Sequence, residues 1–263
     1  MKHNGLLISI ICLMAYSCSD NQKEQQQHFE DGNYAYSQKN YEISADRYET
    51  IMQSGYEAFE VYYNLGNAYF RSGDYPRAIL NYERAARLNP HDEDNLNNLA
   101  LANSKIQDRF ETMPELKIIT FWKNITGAFY STTWAFITVG FIALFLVCVF
   151  FYTLFPSYTI KRTSFYTGAV FLLLIGFSLA AALNAYGRET EKTAIVMTRA
   201  TDLLSEPETN DTSTGNAAVK TVIHAGSKLL IIDRIGNYYK VQLPNGEKGW
   251  VATYDVALVL PAE

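Results

Sequence analysis

The side chains that most often do chemistry are few in this sequence and far apart. The 263-residue chain has four histidines, His3, His28, His91 and His224, in unrelated segments, and three cysteines, Cys12, Cys18 and Cys148. No His-x-x-x-His, Cys-x-x-Cys, Gly-x-Ser-x-Gly or phosphate-binding loop occurs. The spacings that build a metal centre, a redox pair, an activated serine or a nucleotide cradle are therefore missing. The acidic residues lie along helical stretches, where a solvated face accounts for them. The expectation is a protein that is not an enzyme, with no catalytic residue, cofactor or metal. A net charge of −5 also argues against nucleic acid, which wants a basic stripe.

Cys18 is the one cysteine placed for a covalent reaction. Residues 1–17 have a positive start at Lys2, an apolar stretch over Leu6–Met14 and then Ala15-Tyr16-Ser17. The apolar part is too short to span a bilayer and reads as an export signal. Cys18 after it resembles a bacterial lipobox, whose thiol is acylated before cleavage, although Ala15 stands where Leu is usual. Three readings stay open: lipidation of Cys18, plain cleavage after Ala-x-Ser, and an uncleaved anchor. Lipidation is favoured. Cys12 then falls in the signal and Cys148 in an apolar block, so no disulfide framework follows.

Charges are absent between Lys123 and Lys161 and again between Arg162 and Arg188. Trp134–Phe155 and Phe165–Gly187 are 22 and 23 residues long, enough to cross about 30 Å of hydrocarbon as helices. We expect transmembrane helices at 134–155 and 165–187, with aromatic belts at their ends (Tyr130, Trp134, Tyr152, Tyr158, Tyr166, Tyr186). Neither block holds an acid, base or histidine, so they read as an anchor and not as a transport path. The link Pro156–Ser164 carries Lys161-Arg162 and no acid, which places it in the cytoplasm and both flanks outside.

The soluble parts differ in period. Over 25–110, Gly32 matches Gly66, Tyr41 matches Tyr75, Ser44 matches Ala78 and Tyr48 matches Tyr82, a period of 34. The clearer copy runs Tyr62-x-x-Leu65-Gly66-x-x-Tyr69, Gly73-x-Tyr75, Ala78, Tyr82, Ala85, Pro90, and resembles the tetratricopeptide repeat. Small Gly66 and Ala78 let paired helices approach, and the tyrosines fill the space around them. A third unit from Glu93 shows one helix and reads as a cap. The resemblance implies a concave partner-binding groove at Asn33, Tyr36, Tyr63, Asn64, Asn67, Phe70 and Asn98. Merely solvated or packed side chains are the equal alternative for each. The positions that are basic in carboxylate-clamping repeats hold Phe29, Asp94 and Asn98, so no such clamp is expected.

Over 193–260 the period becomes two, in Ala194–Met197, Lys228–Ile232 and Tyr239–Leu243, with turns at Ala225-Gly226-Ser227, Ile235-Gly236-Asn237 and Pro244-Asn245-Gly246. Short strands with tight turns indicate a small barrel. Gly226, Tyr238-Tyr239-Lys240-Val241 and Gly246-x-x-Gly249-Trp250-Val251 resemble a bacterial SH3-like domain, with polar Glu206–Ala217 as a loop inside it. The resemblance implies a peptide or cell-wall ligand, for which Tyr238 and Trp250 would be an aromatic platform. Packing of Trp250 in the core is the preferred alternative.

The expected fold class is multidomain: an all-α tetratricopeptide repeat array, two transmembrane helices and a small all-β SH3-like barrel. This order, with Tyr62-Tyr63-Asn64-Leu65-Gly66-Asn67-Ala68-Tyr69, resembles the BatE family of the Bacteroides aerotolerance operon. The resemblance implies a bacterial inner-membrane scaffold with both soluble domains periplasmic. It also implies partners among other Bat proteins, some with von Willebrand A domains, and a role in aerotolerance or stress response. The alternative is a cell-envelope sensor whose SH3-like domain binds peptidoglycan.

Overall fold

In the computed structural model, residues 22–110, 116–207 and 218–260 are described. The expected signal over 1–17, the lipidation site Cys18 and most of the polar loop near Glu206–Ala217 lie outside the described residues. The chain forms two compact units, one from the segments on either side of a central hairpin and one from the hairpin itself.

The first unit begins with antiparallel helices α1 (22–37), α2 (Tyr41–Gln53), α3 (Phe59–Ser72), α4 (Tyr75–Leu88) and α5 (Glu93–Asn103). Local chemistry sets several of the ends. Asp74 caps α4, its Oδ1 accepting from the Arg77 amide at 3.1 Å, and Pro76 sits in the first turn, where a missing N–H costs nothing. Asp92 caps α5 through the Asn95 amide at 2.8 Å. The period-34 pairs become contacts in space. A Cβ on Gly32 would lie 2.7 Å from the Tyr48 ring, and one on Gly66 would lie 2.6 Å from the Tyr82 ring. Each repeat thus closes a helix pair by pressing a tyrosine ring onto bare backbone. This holds for the first repeat as well, where Ala35 is buried at the place of Tyr69.

Strands β1 (Thr193–Val196), β2 (Ala200–Leu204), β3 (Val219–His224), β4 (Lys228–Ile235), β5 (Tyr238–Gln242), β6 (Lys248–Ala252) and β7 (Val256–Leu258) complete this unit. All pairings are antiparallel, in the order β3-β2-β6-β5-β4-β1-β7. Here the structure corrects the expectation of a barrel. The sheet is not closed, and β3 and β7 are its edges. The reason lies on the β7 side. Ile195 and Val259 belong to the apolar cluster of the helical array, with Met197 and Ala257 packed against it. The Arg84 guanidinium on α4 donates to the carbonyls of Leu258 at 3.0 Å and Val259 at 3.2 Å. The helices thus cover the strand end that a barrel would have paired, one of the ways a protein protects a sheet edge. The opposite face encloses Val196, Leu203, Ile223, Leu229, Val241 and Val251, with Phe110 against them.

A second clamp fixes the sheet to the segment after α5. The Asp108 carboxylate accepts from the His224 amide and the Ser227 hydroxyl, each at 2.7 Å, and pairs with the His224 ring Nδ1 at 2.7 Å. Burial pushes its pKa up, but these bonds and the nearby imidazole outweigh burial and hold it below the ordinary 3.8. Lys228 adds a 2.7 Å ion pair to Glu83 of α4.

The second unit contains α6 (Lys117–Gly127), α7 (Ser131–Leu154) and α8 (Tyr158–Glu189). Helices α7 and α8 are long and apolar enough to cross a membrane. They form an antiparallel hairpin in which Thr138 donates to Ser178 at 3.0 Å and small residues Gly168, Ser178, Ala181 and Ala185 are buried, letting the backbones approach. The expected linker Pro156–Ser164 is shorter than the sequence suggested. Pro156 helps end α7, but nothing after it breaks a helix, so α8 starts at Tyr158 and carries Lys161 and Arg162 in its first turns. The Lys161 ammonium lies 5.9 Å from the centre of the Tyr152 ring.

Two outcomes follow. Gly66→Ala forces the Tyr82 ring aside and should cost about 1–3 kcal/mol, read as a lower melting temperature of the full chain. Because folding depresses the Asp108 pKa, its contribution is complete above about pH 5 and fades as pH falls through the folded-state value. Asp108→Ala should cost about 1–3 kcal/mol at neutral pH and flatten the acid limb of the stability profile measured by hydrogen exchange at Ser227.

Candidate functional site

The candidate site is the groove formed by the first helix of each repeat. Residues spaced three, four and seven apart share a helix face. On α3 this face carries Tyr63, Asn67, Phe70 and Arg71; α1 adds Tyr36, α5 adds Asn98 and Leu101, and the Tyr82 ring reaches in from α4. Together they line a cavity of about 350 Å³. Of the seven residues expected in the groove, Tyr36, Tyr63, Asn67, Phe70 and Asn98 meet at this cavity. Asn33 and Asn64 do not line it; they are hydrogen-bonded to each other, and Asn33 also to Tyr48, one repeat earlier.

Those bonds repeat at the period of the sequence. Tyr48 donates to Asn33 Oδ1 at 2.7 Å and Tyr82 to Asn67 Oδ1 at 2.8 Å. The Asn64 amide donates to Asn33 Oδ1 at 3.3 Å, and the Asn98 amide donates to Asn67 Oδ1 at 2.9 Å and to the Tyr63 hydroxyl at 3.2 Å. Ring contacts repeat too. Tyr36 on Tyr41 at 5.3 Å matches Phe70 on Tyr75 at 5.5 Å, and Phe29 on Tyr48 at 5.8 Å matches Tyr63 on Tyr82 at 6.3 Å. Burial pushes the Tyr48 hydroxyl up to about 12 and raises Tyr82 as well, so both remain protonated donors at physiological pH.

A row of asparagines is thus fixed in orientation. With their carbonyls taken, Asn33 and Asn67 retain amide N–H donors, while Asn64 and Asn98 retain carbonyl acceptors. Arg71, Tyr82 and Leu101 were not foreseen in the groove. The neighbouring Tyr36 hydroxyl raises the pKa of the Arg71 guanidinium further. It is the one cation among the described lining residues. Its position on α3, four after Asn67 and one after Phe70, was the available sequence signal.

The second expected site is the aromatic pair on the sheet. Register pairs Tyr238 with Ala252 and Lys240 with Trp250, so Tyr238 and Trp250 are on one face. Trp250 is only 8% exposed, and the Lys240 ammonium is 5.7 Å from its ring centre. The aromatic surface open at this end of the sheet belongs to Tyr254 and, in part, Tyr238, which line a polar depression with Asp202 and Asp255.

Residues 59–92 match the family model of the tetratricopeptide repeat, the stretch that contains α3, α4 and the Gly66–Tyr82 contact. No curated protein matches the chain.

The asparagine row gives a double-mutant test. Asn67→Ala strands the Tyr82 hydroxyl and should cost about 1–3 kcal/mol, whereas Tyr82→Phe in the same chain removes the stranded donor. Chemical denaturation should show the pair of changes costing clearly less than the sum of the single ones.

Proposed function

We propose that the protein is a membrane-anchored scaffold whose repeat groove grips an extended segment of a partner protein. The observation that carries this reading is the ordered row of asparagines. It offers amide donors and acceptors in alternation, which suits the N–H and C=O that an extended backbone presents at each residue. Tyr36, Tyr63 and Phe70 supply apolar contact alongside, and Arg71 favours an acidic side chain in the bound segment. In this proposal the chain has no catalytic role, and its ionisable clusters hold the fold together.

Helices α7 and α8 support the anchorage. Their outward side chains are apolar and uncovered, with Phe136 and Leu173 more than three-quarters exposed. In water such a surface is unstable, whereas in lipid it is matched. Ser131 at the start of α7 bonds Glu189 at the end of α8, so a spanning hairpin leaves residues 22–110 and 192–260 on one side of the bilayer. We place that side in the periplasm of a bacterial inner membrane, with Lys161 and Arg162 cytoplasmic and Cys18 lipidated. The resemblance to the BatE family supports a role in aerotolerance, with Bat proteins bearing von Willebrand A domains as the partners, and an SH3-like assignment for the sheet.

Arg71→Glu changes an exposed side chain and leaves the asparagine–tyrosine bonds in place. In affinity capture from solubilised membranes it should reduce recovery of the partner roughly tenfold or more, a loss of about 1.4 kcal/mol or greater. Equal recovery by the wild-type and variant chains counts against the groove.

A further inference from the structure

Helix α6 separates into two faces. Ile118, Ile119, Trp122, Ile125 and Thr126 lie on one side, and Lys117, Thr120, Lys123 and Asn124 on the other. The C-terminal half of the apolar face is packed against the hairpin. Trp122 meets Phe177 edge-on at 5.5 Å, and Ile125 packs with Trp134, Ala181 and Ala185. The N-terminal half has no such cover. Ile118 and Ile119 on this face are 69% and 43% exposed.

We propose that α6 is a third lipid-immersed element, held against the hairpin within the leaflet where α7 begins and α8 ends. The inference rests on reading α7 and α8 as spans. Phe177 is ten residues before Gly187, the end of the apolar stretch, or about 15 Å along the helix. Whatever medium surrounds α8 at that depth therefore also surrounds Trp122. The occupant of the uncovered face is the acyl-chain region of the bilayer, because that face continues the uncovered apolar surface of α7 and α8. Helix ends are costly in lipid because their last carbonyls lack partners, and this end is supplied with them. The Thr126 carbonyl accepts from Arg188 Nη2 at 2.6 Å and from the Trp134 indole at 3.3 Å. The Thr126 hydroxyl donates to Asn184 at 2.9 Å. Arg188 also places a positive charge at the negative end of the helix dipole.

The test is photo-crosslinking of the full chain in phospholipid nanodiscs. A benzophenone amino acid is placed in turn at Ile118, Ile119, Asn124 and, in the middle of α8, Leu173. Mass spectrometry should find acyl-chain adducts at Ile118 and Ile119 at levels within a few-fold of Leu173, and at least tenfold fewer at Asn124. Adducts at Leu173 with none at Ile118 or Ile119 overturn the proposal and leave the spans intact. Absence of adducts at Leu173 as well overturns both.

Discussion

The contact on which the array depends is a tyrosine ring pressed onto a glycine. At Gly66 and Gly32 there is no room for a methyl group, because the Tyr82 and Tyr48 rings occupy that space. The close approach sets the separation of each helix pair. It also brings the tyrosine hydroxyl to the carbonyl of the next residue along, Asn67 or Asn33. One packing constraint thereby fixes both the curvature of the repeat and the rotamer of an asparagine at the groove. A groove whose polar groups are already oriented loses less conformational entropy on binding a flexible segment.

The sheet serves the array as much as it forms a module of its own. Arg84 and Glu83 follow Tyr82 directly on α4, so one helix sends a ring into the groove and, from its other side, holds the sheet through Leu258, Val259 and Lys228. Asp108 ties the chain leaving α5 to the turn around Ser227. A third repeat would ordinarily need a second helix to cover the apolar side of α4; Ile195 and Val259 fill that role.

Much of this was legible in the sequence because it is local or periodic. The 34-residue spacing located the helix pairs and the groove face, chargeless blocks located α7 and α8, and glycine turns located β4, β5 and their neighbours. What was missed depends on distant partners. Arg84 meets Val259 across 175 residues, and nothing in either neighbourhood announces it. The open sheet follows from that docking. Strands β2 and β3 were missed because the alternation in Ala200–Leu204 and Val219–His224 is weak until they pair with each other. Helix α8 starts earlier than Lys161 and Arg162 suggest, because two charges at a helix start break no hydrogen bond. Arg71 has no counterpart one period earlier, where Ser37 stands. Trp250, for which packing is the preferred alternative, is covered by a lysine directly across the strand pair.

The central claim is that an anchored groove holds another polypeptide in an extended form. Photo-crosslinking in native membranes from Leu101, which lines the groove and is 47% exposed, tests it most directly. The account predicts adducts with one discrete polypeptide, mapped to a single short segment of it. A Leu101 probe that reacts with no protein, while the chain remains folded and membrane-bound, contradicts it.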